Sequence, residues 1–194
     1  MALWRKRVSM RITDSPLVSY KKLSGHHSGN RTHAIDRITP HCVVGRTSVE
    51  GLGKWFRRFS VKASSNYGIG WDGRIALYVH ERNRSWCSSD RENDQRAVTI
   101  ECASDPEAPY AMSDAVYRSL VNLCADICMR QGKRKLLWLE DKEVALSYIP
   151  KEDEMLLTVH RWFADKECPG EWLFSRLPEL SDQVTRILQG DKAV

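Results

Sequence analysis

The chain is organised around one stretch near its C-terminal end, His160-Arg-Trp-Phe-Ala-Asp-Lys166-Glu-Cys168-Pro-Gly170. Imidazole nitrogen and cysteine thiolate are donors that zinc prefers in proteins. The spacing between His160 and Cys168 is wider than that of the close cysteine pairs in structural zinc sites, so a third ligand must come from elsewhere. Three protein ligands and one open position are typical of catalytic zinc. Alternatively, His160 is a core residue that ends an apolar strand, and Cys168 is a small buried hydrophobe.

The composition is typical of a globular domain. The 194 residues are enough for one domain with a substantial core. No apolar run approaches the roughly 20 residues of a membrane helix, and no apolar segment follows the basic start of the chain, so we expect no membrane partner and no secretory signal. The net charge of +5 favours an anionic surface such as a cell wall or nucleic acid, or it reflects a merely balanced charged surface.

The six cysteines show no zinc-finger spacing. A chain of this length needs no disulfide framework, so we expect reduced thiols and synthesis in a cytoplasm. Cys124 and Cys128 are four residues apart on a predicted helix and are assigned to the core.

The N-terminal 34 residues differ in composition from the remainder of the chain. Residues 1–10 are predicted to be a flexible leader, with Met10 as an alternative start. Residues 11–34 are rich in serine, glycine, histidine and asparagine, which predicts a loop or extended arm. His26 and His27 could bind metal as a pair or be exposed loop residues. The predicted catalytic domain therefore spans residues 35–190.

Three apolar stretches predict strands that carry polar side chains. Ile35 to Arg46 becomes apolar around His41, and Pro40 predicts that this strand lies at an edge or begins there. Residues 64–80 predict a hairpin whose turn contains Asp72-Gly73. Residues 97–103 form a β-branched strand that Glu101 interrupts. A carboxylate in an apolar strand is costly to bury, so Glu101 is a functional candidate, unless it lies at an edge and faces solvent.

Helical periodicity is clearest over residues 113–130, with Ser113 as the cap and an apolar face. Residues 47–59 also predict a capped helix whose apolar stripe extends to Phe59. Residues 171–190 predict a final helix that Pro178 breaks or restarts. The segments 81–96 and 139–153 are polar and predict surface loops. Within the first of these, Trp86 either stacks on a ligand or covers the core.

The order of these motifs resembles a known enzyme family. A strand with a histidine, an Asn-Tyr-x-Ile-x-x-Asp-Gly hairpin, a Val-Thr-Ile-Glu strand, a helix and a His-x5-Lys-x-Cys-Pro-Gly segment occur together over residues 35–182. The sequence is thereby similar to the zinc-dependent N-acetylmuramoyl-L-alanine amidases of type 2, which include phage endolysins and peptidoglycan recognition proteins. The resemblance implies an α/β fold with a central mixed sheet and helices on both faces.

The resemblance also implies roles for individual residues. His41, His160 and Cys168 match the zinc ligands. Glu101 matches a general base, and Lys166 matches a lysine that supports the transition state. Ser65 stands where some members have a catalytic tyrosine, and Tyr67 stands where an apolar aromatic belongs, so Glu101 is expected to replace the tyrosine. Trp86, Asn93 and Arg96 are predicted to contact substrate.

The implied reaction is hydrolysis of the amide between N-acetylmuramic acid and L-alanine in peptidoglycan, with Zn²⁺ as the cofactor. Without a signal peptide, the protein is expected to act on the wall after phage-type release. Three alternatives remain: a non-catalytic peptidoglycan-binding protein of the same fold, which Cys168 argues against; a zinc hydrolase that acts on another amide; and a nucleic-acid binder. We expect no nucleic-acid partner, because no cluster of basic and aromatic residues supports one.

Overall fold

A mixed seven-stranded sheet forms the centre of the protein in a computed structural model that describes residues 13–190. The predicted leader, residues 1–10, lies outside the described residues. The strands are β1 (Tyr20–Lys21), β2 (Arg37–Val43), β3 (Tyr67–Ile69), β4 (Ile75–Leu77), β5 (Ala97–Ala103), β6 (Lys135–Leu137) and β7 (Glu154–Leu157). Their order is β1-β4-β3-β5-β2-β7-β6. In the described sheet only the β3–β4 hairpin pairs antiparallel, so the predicted mixed sheet is confirmed.

Six α-helices accompany this sheet in the described part of the chain. They are α1 (Val49–Trp55), α2 (Arg91–Arg96), α3 (Asp114–Arg130), α4 (Lys142–Ser147), α5 (Glu171–Phe174) and α6 (Leu177–Gln189). Ser113 caps α3 through its side-chain oxygen, as predicted, and Ser48 caps α1 in the same way. Pro178 lies in the first turn of α6 and separates it from α5, which confirms the predicted restart.

The two faces of the sheet carry different layers. Alternate residues of a strand point to opposite faces. On one face, β3 and β5 contribute Tyr67 and Ile100 to a large apolar core that includes α3 and α6. On the other face, the α1 side chains Val49 and Leu52 form a smaller cluster with Tyr78. Helices therefore cover both faces, as the resemblance implies. None of the helices within residues 13–190 is long and apolar enough to cross a membrane.

The polar arm belongs to the same sheet as the predicted domain. Tyr20–Lys21 pair in parallel with β4, and Ser15 N–H donates to the buried Tyr67 hydroxyl at 2.7 Å. The buried Arg31 guanidinium donates to Asn66 Oδ1 at 2.9 Å. Residues 13–34 are therefore fixed against the sheet, because a polar sequence can still be held by backbone pairing.

The prediction that Pro40 lies on an edge strand or at the start of its strand is wrong, since β2 lies between β5 and β7 and begins at Arg37. The β2–β7 pairing consists of only two residue pairs, and Thr158 N–H then donates to the Ile38 carbonyl at 3.0 Å. Pro40 has no N–H to continue towards β7. The pairing between β2 and β7 therefore ends at Pro40. His41 on β2 and His160 after β7 follow shortly after the last paired residues.

Two predicted loops and one predicted stripe also differ from the structure. The segment 81–96 contains α2, and Glu81 at its start is completely buried. The segment 139–153 contains α4, which Asp141 caps. The apolar stripe of α1 ends at Phe56, because Phe59 lies beyond the helix and is 87% exposed.

Candidate metal centre

His41 provides a buried imidazole at the centre of the sheet. Only 1% of its surface is exposed, and its Nδ1 lies 3.3 Å from the sulfur of Cys168. Its other nitrogen, Nε2, is buried and has no hydrogen-bond partner. Burial lowers the pKa of His41 to about 3, and His160 nearby adds to this effect. The imidazole is therefore neutral, which is the form that binds metals.

His160 and Cys168 complete a trio of donors with His41. The two imidazole rings lie 5.0 Å apart, and one donor atom from each of the three residues lies within 4.8 Å of the others. His160 starts a 3-10 turn after β7, and its Nε2 is 3.1 Å from the hydroxyl of Ser89. If Nε2–H donates to Ser89, the Nδ1 lone pair is available for a metal. Burial, assisted by Lys166, lowers the pKa of His160.

The thiol of Cys168 needs a cation to ionise. A hydrogen bond with Cys42 and burial raise its pKa well above the ordinary value. A divalent cation beside the sulfur has the opposite effect and removes the proton. Two neutral imidazoles and one thiolate are a donor set that favours zinc over magnesium or calcium. The residues present therefore fit a zinc ion.

Glu101 borders the trio on the neighbouring strand. It lies in register with His41 across the β2–β5 pairing, so both side chains leave the same face of the sheet. Cys87 Sγ donates to its Oε1 at 3.7 Å, and His41, Cys87 and Glu101 form a second group of converging donor atoms. Burial raises the pKa of Glu101 to about 7, although the Cys87 hydrogen bond lowers it. This carboxyl group can exchange a proton near neutral pH.

Two surface grooves are lined by candidate site residues, and one of the grooves is bordered by a member of the trio. Lys166 is exposed and lines a groove of about 410 Å³ together with Tyr110 and Arg161. Trp86 lines a second groove of about 440 Å³, which His160 also borders. A chain-like substrate could therefore reach His160 along the second groove.

The sequence model of the N-acetylmuramoyl-L-alanine amidase family matches residues 23–171. The chain belongs to this family. The amidase class predicted from the sequence is thereby confirmed, and the protein is an enzyme of that class. A search of curated proteins gave no match for the amidase.

Solved structures share the amidase fold at low sequence identity. AmpD matches with a TM-score of 0.62 and 16% identity, over 88% of this chain and 99% of AmpD. The Staphylococcus aureus hydrolase AmiA matches with a TM-score of 0.58 and 14% identity, over 93% of this chain and 88% of AmiA. The endolysin LysCS from Clostridium intestinale gives 0.53 and 12%, over 82% of this chain and 90% of LysCS. At these identities the likeness shows the shared fold alone.

Two residues predicted to contact substrate, Asn93 and Arg96, are held by other parts of the amidase. Asn93 is completely buried under α2; it donates to the Thr39 hydroxyl at 3.0 Å and accepts from Thr158 at 3.1 Å. Its role is to join α2 to the sheet. Arg96 pairs with Asp36 at 2.6 Å at the start of β5, on the order of 16 Å along the strand from Glu101.

The remaining candidates occupy different parts of the structure. Trp86 lies in the groove, where its indole N–H donates to Ser28 Oγ at 2.7 Å and His26 stacks on the ring at 5.8 Å. Neither His26 nor His27 belongs to a group of converging metal donors within residues 13–190. Tyr67 points away from the site and donates to Glu81 at 2.6 Å, and Ser65 is buried, so both lie outside the candidate centre.

Sequence reasoning missed Cys87. It lies on the segment between β4 and α2, where no periodicity marks a buried position, and its backbone N–H donates to the Asp94 carboxylate at 3.0 Å. The feature that identifies Cys87 as a site residue is its contact with Glu101. This contact exists only in the folded chain.

Proposed function

We propose that this amidase cleaves the amide between N-acetylmuramic acid and L-alanine with a zinc ion held by His41, His160 and Cys168. The observation that carries this proposal is the convergence of these three donors beside Glu101, with His160 bordering a surface groove. When bound, zinc would polarise the scissile carbonyl and lower the pKa of water.

Glu101 is the proton carrier in this proposal. It is partly shielded from solvent and borders the trio, and its pKa of about 7 suits both taking and giving a proton near neutral pH. Its carboxylate would take the proton of the attacking water and then deliver it to the alanine nitrogen as the amide breaks. The products are a lactyl carboxylate and a peptide with a free amino terminus.

Lys166 stabilises the negative charge that develops on the carbonyl oxygen. Its ammonium group is close enough to affect the His160 imidazole, and the groove leaves it exposed to substrate. A fixed positive charge at the oxyanion lowers the barrier because the charge exists only in the transition state. Trp86 supplies an aromatic wall to the second groove, which would hold the part of the substrate on the other side of the scissile bond.

Peptidoglycan is the proposed substrate, and the bacterial wall is the proposed place of action. The fold is shared with the endolysin LysCS. Release at phage lysis would bring a protein made in a cytoplasm to this substrate. The non-catalytic alternative is disfavoured, because Cys168 completes the donor set.

The test is to incubate the zinc-loaded protein with purified peptidoglycan and to identify the new ends by mass spectrometry. The proposal predicts free L-alanine amino termini and intact lactyl carboxylates. New reducing sugar ends, or amino termini within the stem peptide, would overturn the proposed bond. A Glu101→Ala variant that keeps full activity with zinc bound would overturn the role of Glu101.

A further inference from the structure

A strongly basic segment follows α1 and lies outside the site described above. Residues 54–62 read Lys-Trp-Phe-Arg-Arg-Phe-Ser-Val-Lys and contain four basic residues and no acidic one. The exposed members of this segment form a basic aromatic patch, which consists of Lys54, Trp55, Arg57, Arg58, Phe59 and Lys62. The whole chain has a net charge of only +5, so the patch concentrates most of the excess positive charge.

The aromatic rings of the patch are exposed together with their cations. Phe59 is 87% exposed and Trp55 is 48% exposed. The Lys62 ammonium lies 4.5 Å from the Phe59 ring centre, and the Arg58 guanidinium lies 5.1 Å from that of Trp55. Within residues 13–190, none of the four cations forms an ion pair. Their charge is available to an external partner.

The patch is continuous with the groove that leads to the candidate metal centre. Lys62 belongs to the patch and also lines the groove that contains Trp86 and His160. Arg84 and Arg91 line the same groove. Asp90 and Asp94 line it too, so Lys62 is the residue that joins the basic aromatic patch to this groove, which reaches His160.

We propose that the basic aromatic patch binds peptidoglycan repeats next to the one being cleaved. This inference rests on the proposed function, since it places the same polymer on a second surface. The repeats offer a matching chemistry: stem peptides carry free carboxylates, and sugar rings have apolar faces that stack on aromatic side chains. An anionic bilayer would match the charge as well. The continuity with the groove through Lys62 favours the polymer that occupies that groove.

The test is the affinity of the full chain for purified insoluble peptidoglycan, measured by pelleting in the inactive Glu101→Gln background so that cleavage does not alter the polymer. The patch variant is Arg57→Gln, Arg58→Gln, Phe59→Ala. The matched control is Arg134→Gln, Lys142→Gln, Ile149→Ala, which removes the same charge and an 85% exposed apolar side chain from another surface. We expect the dissociation constant to rise about tenfold in the patch variant and less than about twofold in the control.

Two further measurements separate the possible failures. The dissociation constant of a soluble one-repeat fragment should change less than about twofold in the patch variant, because that fragment occupies only the groove. Equal losses for fragment and polymer would overturn the inference, as would equal pelleting of patch variant and control. Binding of the patch to vesicles of phosphatidylglycerol and phosphatidylcholine, without loss of polymer binding in the variant, would assign the patch to a membrane instead. Failure of the wild type to release amino termini would refute the proposed function, whereas the pelleting results would still stand.

Discussion

Replacement of Glu101 by glutamine tests the chemistry and the energetics of the site together. Burial raises the pKa of this carboxyl from an ordinary 4.5 to about 7, so the folded chain disfavours the ionised form. The folded protein therefore binds more protons than the unfolded chain between these pH values, and its stability falls as the pH rises through this range. Above pH 7 the loss is on the order of 3 kcal/mol.

The variant should therefore be more stable and much less active. Glutamine has no charge to bury, and its amide oxygen can still accept from Cys87, which donates to Glu101 at 3.7 Å. In metal-free protein at about pH 8 we expect the free energy of unfolding to rise by up to about 3 kcal/mol, with little change at about pH 4. Loss of a general base should lower kcat by about 10² to 10⁴.

The assays are urea denaturation in the presence of a chelator and release of amino termini from peptidoglycan with zinc restored. Glu140→Gln is the matched control, because Glu140 is exposed and far from the trio in sequence. The Glu140→Gln control should leave the free energy of unfolding and kcat nearly unchanged. A glutamine variant at position 101 with wild-type kcat, or one that loses stability at about pH 8, would refute the reasoning.

Three other perturbations have defined outcomes. Lys166→Met should lower kcat by about 10- to 10³-fold with zinc content unchanged, whereas Lys142→Met at an exposed site should not; equal rates would contradict the oxyanion role. Glu81→Gln should cost about 3 to 5 kcal/mol in urea denaturation, because the buried carboxylate accepts from Arg130 at 2.6 Å, and an unchanged midpoint would contradict this. The value of kcat/KM should fall as pH drops through about 7, where Glu101 gains its proton. A divalent cation bound nearby would lower the pKa of Glu101 and with it the midpoint of the pH profile. A midpoint above about pH 8 would therefore exclude Glu101 as the base.

The elements that were predicted correctly from the sequence are those with a clear pattern among neighbouring residues. The helix at residues 114–130 combines a cap with a continuous apolar face, and both are visible within one short window. His41 and Glu101 stand out because each interrupts an apolar strand. Their placement side by side depends on the order of the strands, which the β2–β5 pairing of the folded chain provides.

The predictions that differ from the structure concern residues whose positions depend on contacts between distant parts of the chain. Asn93 looks like a loop residue, but its amide satisfies two threonine hydroxyls from β2 and the end of β7, and this allows complete burial. Phe59 continues the apolar period of α1 in sequence, yet the helix has ended before it and the ring is exposed. Pro40 was expected at an edge or at the start of its strand, but it lies inside β2, where its missing N–H ends the pairing with β7 beside the candidate centre.

The most direct test of the central claim is the zinc content of wild type, Cys168→Ser and Cys87→Ser, measured by elemental analysis after dialysis. The two cysteines belong to different groups of converging donors that share His41, so they distinguish the two possible positions of the ion. We predict about one zinc per chain in the wild type and in Cys87→Ser, and loss of zinc together with activity in Cys168→Ser. Zinc that is retained in Cys168→Ser but lost in Cys87→Ser would contradict the assignment of His41, His160 and Cys168 as the ligands.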